Sequence, residues 1–181
     1  MHPFDSYHIR PMREDDLPFV LEWRNSERIR KNMYSEALIS WENHCSWFSS
    51  IQNKESIQCY IVERLERPIG VVNFTEINRT HHTCKWGFYV GDTEAPRGSG
   101  TALGFLGLVE AFEHLHIRKL CAEVISFNEA SIRFHKKLGF IQEGNLQRHI
   151  WKNNKYENIV LFANFSDQWP ALKEQLWISY F

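Results

Sequence analysis

Arg97-Gly98-Ser99-Gly100-Thr101-Ala102 runs straight into residues 103–115, whose apolar positions recur with helical spacing. Glycines at 98 and 100 let the main chain come close to an anion. The first helical turn leaves N–H groups without intrahelical partners, and the macrodipole adds partial positive charge there. Arg97 supplies a formal charge. The stretch therefore reads as a pyrophosphate cradle at a helix start. It is not a P-loop, because Thr101 stands where a lysine would follow the last glycine. It is not a dinucleotide fingerprint either, which needs a third glycine and a downstream acid for the ribose.

The same six residues resemble the Arg/Gln-x-x-Gly-x-Gly/Ala signature of the GCN5-related N-acetyltransferases (GNAT), with Arg97, Gly100 and Ala102 in the defining positions. Further on, Asn128-Glu-Ala-Ser-Ile-Arg-Phe-His-Lys-Lys-Leu-Gly-Phe140 resembles the second hallmark of that family, an Asn…Ala/Ser…Tyr-x-Lys-x-Gly-Phe helix. The likeness runs from a first strand near Ile9 to a closing hairpin before Phe165. It implies an α/β GNAT fold: a mixed central sheet of about seven strands, helices on both faces, and a splayed strand pair that holds the cofactor.

Outside these motifs the chain is consistent with that fold. With 181 residues, of which 43% are apolar and 24% charged, it can bury one sizeable core. We read 1–181 as a single N-acetyltransferase domain: 1–56 as a strand plus acceptor-site helices, 57–140 as sheet and cofactor motifs, 141–181 as closing hairpin and aromatic tail. A net charge of −1 offers no electrostatic footprint for nucleic acid or an anionic membrane. Cys45, Cys59, Cys84 and Cys121 are far apart and form no C-x-x-C, so they read as free thiols in a reducing compartment, with no metal site. The N-terminus lacks a basic-then-apolar layout and no apolar run has the length of a membrane span, so a cytoplasmic protein is expected.

Strands and helices alternate along the chain. Residues 8–12 read as a strand, followed by a helix capped by Asp15 and Asp16 and carrying Phe19, Val20, Leu21 and Trp23; Ser40 caps a second helix with Trp41, His44, Trp47 and Phe48. Residues 58–63 and 69–74 form a hairpin turning at Glu66-Arg67-Pro68, and residues 84–90 form a fourth strand. Residues 119–125 are a buried strand, the motif helix spans about 129–138, and a last hairpin turns at Asn153-Asn154.

The resemblance implies how acetyl transfer would be run. Residues 97–102 (Arg97, Gly98, Ser99, Gly100, Thr101, Ala102) hold the pyrophosphate of acetyl-CoA. Phe88, Tyr89 and Val90 offer backbone groups to the pantetheine and polarise the thioester, with a bulge helped by Gly87, and Asn128 touches the cofactor arm. Family members carry Tyr where His135 stands here. A histidine there can protonate the leaving thiolate, or it can be a solvated helix histidine with Phe134 facing the cleft. Glu123, in an otherwise apolar strand, either binds or deprotonates the acceptor amine or pairs with a neighbouring base.

Leu21-Glu-Trp-Arg-Asn25, Met33-Tyr-Ser35 and Trp41-Glu-Asn-His44 with Trp47 resemble the amino-sugar N-acetyltransferases of pseudaminic acid biosynthesis. That likeness implies a pocket for a UDP-4-amino-4,6-dideoxy sugar built from Arg24, Met33, Tyr34, His44 and Trp47, with Lys85 on its acceptor side. Arg24 pairs with the diphosphate, His44 assists when protonated, and Tyr34 and Trp47 offer flat faces to the base or sugar. Trp23 and Trp41 read as packing. The aromatic tail (Trp169, Trp177, Tyr180, Phe181) covers either the core or a dimer partner. Rival readings are a protein N-terminal acetyltransferase, an antibiotic or polyamine acetyltransferase, and a non-catalytic acyl-CoA-binding module. The mixture of Glu22, Glu27 and Glu42 with Arg24, Arg28, Arg30 and Lys31 suits an anionic acceptor better than a polyamine.

Overall fold

The strand-forming runs join one sheet in the computed structural model, which describes residues 3–181. In chain order they are β1 (Tyr7–Pro11), β2 (Gln58–Arg64), β3 (Arg67–Asn78), β4 (Thr83–Val90), β5 (Lys119–Ile125), β6 (Ile141–Lys152) and β7 (Lys155–Phe165). They lie in the order β1-β2-β3-β4-β5-β7-β6, with β4 and β5 parallel and the other neighbours antiparallel. The helices are α1 (Leu17–Asn25), α2 (Glu27–Arg30), α3 (Trp41–Ile51), α4 (Ser99–Val109), α5 (Glu129–Lys137) and α6 (Trp169–Tyr180). No helix among the described residues is long and apolar enough to cross a membrane.

The period-2 alternation of the strands divides the core between two faces. Val72, Phe74, Cys84, Trp86, Leu120 and Val124 pack with Leu103, Leu108 and Leu138 in the larger cluster. Ile61 and Val71 point the other way, onto Leu17 and Val20 of α1 and Phe48 and Ile51 of α3. Fully buried side chains such as Phe74, Phe162 and Leu103 each contribute on the order of 1.5–3 kcal/mol through lost apolar exposure. This two-sided burial is what the expected helices on both faces require.

Several local expectations are met and others are corrected. Ser40 caps α3, its side chain accepting from Asn43 N–H at 3.2 Å. Asn153 and Asn154 turn the last hairpin with φ of 53° and 58°, a left-handed pair that Asn tolerates. Asp16 does not cap α1: its carboxylate is taken by both terminal nitrogens of Arg10 (2.7 and 2.8 Å) and by Arg13 N–H (2.7 Å). The first hairpin turns at Leu65 and Glu66, both at positive φ, while Pro68 is already in β3 opposite Glu63. Gly87 makes no bulge. It pairs in register with Asn73, and the irregularity of that ladder lies between Thr75 and Asn78. The aromatic tail is helical: Trp169 is buried and Trp177 and Phe181 pack edge-on or tilted against Phe4 and Phe105, so in this fold it covers the core beside α4. Trp23 packs against the smaller cluster, whereas Trp41 is exposed rather than packed.

Candidate active site

β4 and β5 pair at three positions, Thr83–Lys119, Cys84–Leu120 and Lys85–Cys121. Past Lys85, β4 continues its ladder with β3 as far as Val90 while β5 continues with β7 as far as Ile125, so the two strands part. A cleft of about 690 Å³ opens at the fork, and Gly87, Phe88, Tyr89, Val90, Glu123, Gly100 and Asn128 all line it. Alternate N–H and C=O groups on the freed edge of β4 point into the gap.

The cradle stands at the start of α4. Gly98 precedes the helix with φ of +97°, a conformation that favours glycine. Its carbonyl accepts from Thr101 N–H (2.9 Å) and Ala102 N–H (3.2 Å). A Cβ at Gly100 would meet only Val90 Cγ2, at 3.8 Å, so this side of the helix start is open toward the cleft. Two of the six cradle residues turn inward: Ala102 is buried, and Ser99 is buried with its Oγ 3.0 Å from the Tyr7 hydroxyl. Their side chains set the loop against the core. Sequence reading missed Lys137, which donates to Thr101 Oγ1 at 2.8 Å while resting 3.8 Å from the centre of the Tyr180 ring. Asn128 caps α5, its Oδ1 accepting from Ser131 N–H at 3.1 Å.

His135 lines the cleft, as expected of an acid, but both of its ring nitrogens are engaged by the protein. It is 3% exposed, stacked on Phe162 and edge-on to Trp86 and Phe140. The Trp86 indole N–H donates to its Nε2 at 3.2 Å. An indole nitrogen can only donate, so Nε2 carries a lone pair, Nδ1 carries the proton, and Nδ1–H donates to the Ser131 carbonyl at 2.8 Å. Burial drives the imidazole down to about 4. The ring is neutral, its one proton is committed to the backbone, and the side chain acts as a polar strut under Trp86.

Glu123 combines a cleft position with the ion pair that was the alternative to a role on the amine. It faces the cleft and it is ion-paired: Lys85 Nζ lies 2.8 Å from Oε1 and Tyr34 Oη donates to Oε2 at 2.6 Å. Burial alone would raise this carboxyl, but the two hydrogen bonds and the Lys85 charge outweigh it and hold it below the usual carboxylate range. Lys85 also pairs with Glu76 at 3.0 Å. Lys85 and Tyr34 are both engaged by Glu123: the Tyr34 hydroxyl is spent there, while its ring, the part expected to meet the base or sugar, stays exposed.

On the acceptor side, Arg24, Arg28, Met33, His44 and Trp47 line the cleft. Arg24 Nη2 lies 3.4 Å from the Ser35 carbonyl, while Nη1 is buried without a hydrogen-bond partner among the described residues. His44 is 4% exposed and stacked on Trp47 (5.3 Å, 19°), with Nε2 also unpartnered. Burial lowers its pKa against a hydrogen bond to the Leu17 backbone, so the imidazole is neutral and offers an acceptor lone pair rather than the charge expected of it. Sequence reading also missed Asn73. Its side chain needs the missing Cβ of Gly87, which would sit 2.8 Å from Asn73 Oδ1. Only cross-strand register brings those two together.

The comparisons with known proteins agree with this fold. The family model described as Acetyltransferase (GNAT) domain matches residues 7–141. The spermidine N(1)-acetyltransferase of Escherichia coli (strain K12) is 25% identical over 166 residues, covering 92% of this chain and 89% of that protein. The acetyltransferase PseH of Campylobacter jejuni is 25% identical over 129 residues, covering 71% and 79%. Among solved structures, spermidine N-acetyltransferase from Vibrio cholerae in complex with CoA and spermine superposes with a TM-score of 0.87 at 19% identity, covering 92% of this chain and 99% of that one.

Proposed function

Because the chain belongs to the GNAT acetyltransferase family and is an acetyl-CoA-dependent N-acetyltransferase, we propose that its acceptor is an anionic amine, the 4-amino group of a UDP-4-amino-4,6-dideoxy sugar. The observation that carries this reading is the charge along the cleft. Arg24 and Arg28 line its acceptor side, and Arg24 Nη1 is buried and unpartnered among the described residues. A buried donor without a partner costs free energy until a ligand supplies one, and a phosphate or sugar oxygen does so. At the other end Glu76 and Glu123 share Lys85, which leaves a single net negative charge, enough for one amine.

The residues support direct transfer. Acetyl-CoA supplies the acetyl group as a thioester, with its pyrophosphate at residues 97–102 and its arm along the freed edge of β4, whose N–H groups polarise the carbonyl. Two residues on from the Lys85–Cys121 pair, Gly87 and Glu123 face each other across the fork. There Glu123, kept ionised by Lys85 and Tyr34, orients the amine. As the C–N bond forms, the nitrogen's proton becomes acidic enough for this weakly basic carboxylate to accept. The C–S bond breaks to release a thiolate whose reference pKa of ~8.5 lets it leave without a dedicated acid. Arg24, His44 and Trp47 hold the distant part of the acceptor.

A polyamine acceptor is the second reading, favoured by the spermidine acetyltransferase relative that spans 92% of the chain. A coupled thiol-release assay with acetyl-CoA separates the two. Turnover is expected with UDP-4-amino-4,6-dideoxy sugars and not with spermidine or N-terminal peptides. Turnover with spermidine alone, or with peptides alone, overturns the acceptor reading and leaves the cofactor site standing.

A further inference from the structure

The segment between α2 and α3, residues 31–40, crosses the fork of the sheet and is fastened on both banks. On the α1 side, Asn25 Nδ2 donates to the Ile39 carbonyl and Ile39 N–H donates to Asn25 Oδ1, each at 2.9 Å, and Arg30 donates to the Glu36 carbonyl at 2.8 Å. On the far bank, Lys152 at the end of β6 is 5% exposed. It donates to the Met33 carbonyl and pairs with the Glu36 carboxylate at 2.8 Å. Met33 lines the cleft, and the next residue, Tyr34, donates to Glu123.

A lysine is seldom buried unless paired, because desolvating its charge is expensive. Both of its partners among the described residues belong to the crossing segment rather than to its own hairpin. The lysine lies outside the reacting centre, and no step of the transfer uses it. We infer that Lys152 is a positioning residue for the acceptor site: it fastens the Met33–Tyr34 backbone across the fork and, through Tyr34, orients the Glu123 carboxylate. Without it, residues 31–40 are held from the α1 side and by Tyr34 alone, and ordering them falls on acceptor binding. The inference rests on the reading that Glu123 handles the acceptor amine.

Hydrogen–deuterium exchange on the full-length protein, with no acceptor present, tests the fastening directly. In Lys152→Met, exchange across residues 31–40 is expected to quicken by about tenfold or more, while peptides from α4 and α5 stay as in the wild type. Tyr34→Phe should leave most of that protection in place. Kinetics with whichever amine the wild type acetylates test the consequence. Lys152→Met and Tyr34→Phe should each lower acceptor kcat/KM about tenfold, with acetyl-CoA KM within about twofold of wild type. The double variant should lose little more than either, because the two act in one chain of contacts. Unchanged exchange in 31–40, an unchanged acceptor kcat/KM, or a parallel loss of acetyl-CoA binding overturns the inference. If Lys152→Met fails to fold, Glu36→Gln removes the same ion pair from the exposed end and should speed exchange in 31–40; no change there also overturns it. Failure of the acceptor reading would show differently, as wild-type protein inactive on UDP-sugars, and failure of the Glu123 role as full activity in Glu123→Gln.

Discussion

At the residue scale, His135 separates chemistry from packing. Its folded pKa of about 4 lies below the unfolded reference of ~6.5, so between those values the unfolded chain binds more protons than the native one. The stability this group contributes is complete above about pH 6.5 and is lost as pH falls toward 4. It amounts to roughly 2 kcal/mol between pH ~7.5 and ~5. Denaturant midpoints at those two pH values should show that loss in the wild type and a flatter response in His135→Phe. Turnover of that variant should fall far less than removal of an acid would demand, roughly 10²–10⁴-fold, and a loss of that size would restore the acid role. Arg24→Ala should raise acceptor KM by about 10–100-fold, the scale of one charge-assisted hydrogen bond, with acetyl-CoA KM unchanged. Cys59 lines the cleft, but burial pushes its thiol up to about 12, leaving no thiolate to act as a nucleophile. Radiolabelled acetyl should therefore not remain on denatured protein after incubation with acetyl-CoA.

At the element scale, the start of α4 carries the cofactor reading. Gly98 sits at φ of +97° with nothing within 4 Å of an added Cβ, so Gly98→Ala introduces backbone strain and no clash. That strain is about 1–2 kcal/mol, and the loop can relieve it by moving away from the anion-binding conformation. The expected result is an acetyl-CoA KM raised about tenfold with acceptor KM little changed, read from initial rates with each substrate varied in turn. Local chemistry made much of this scale legible. Ser40 caps, Asn153-Asn154 turns and residues 119–125 pair as a strand, because each outcome depends on neighbours in sequence. The π-helical turn at Glu110–His114 and helix α6 were not legible, since packing against distant elements decides them.

At the scale of the whole molecule, the proposed cofactor and acceptor sites meet at the fork between β4 and β5, and ligand binding there should stabilise the fold. At about 100 times its Kd, acetyl-CoA should add about 2.7 kcal/mol, or a Tm rise on the order of 5–10 °C for a chain of this size, measurable by scanning calorimetry. No rise would mean that acetyl-CoA does not bind the folded chain. By itself the sequence determined the family and the order of the strands and of the two motif helices, because those follow from glycine placement, capping and apolar period along contiguous residues. Tertiary structure alone decided which polar side chains face the cleft. His135 lines the cleft yet is almost fully buried, its ring bonded to Trp86 from β4 and to the Ser131 backbone. Tyr34 and Lys85 meet on Glu123, and Lys152 reaches Met33, across separations of tens of residues. Such contacts depend on where the sheet brings distant segments together, a position that no local period encodes.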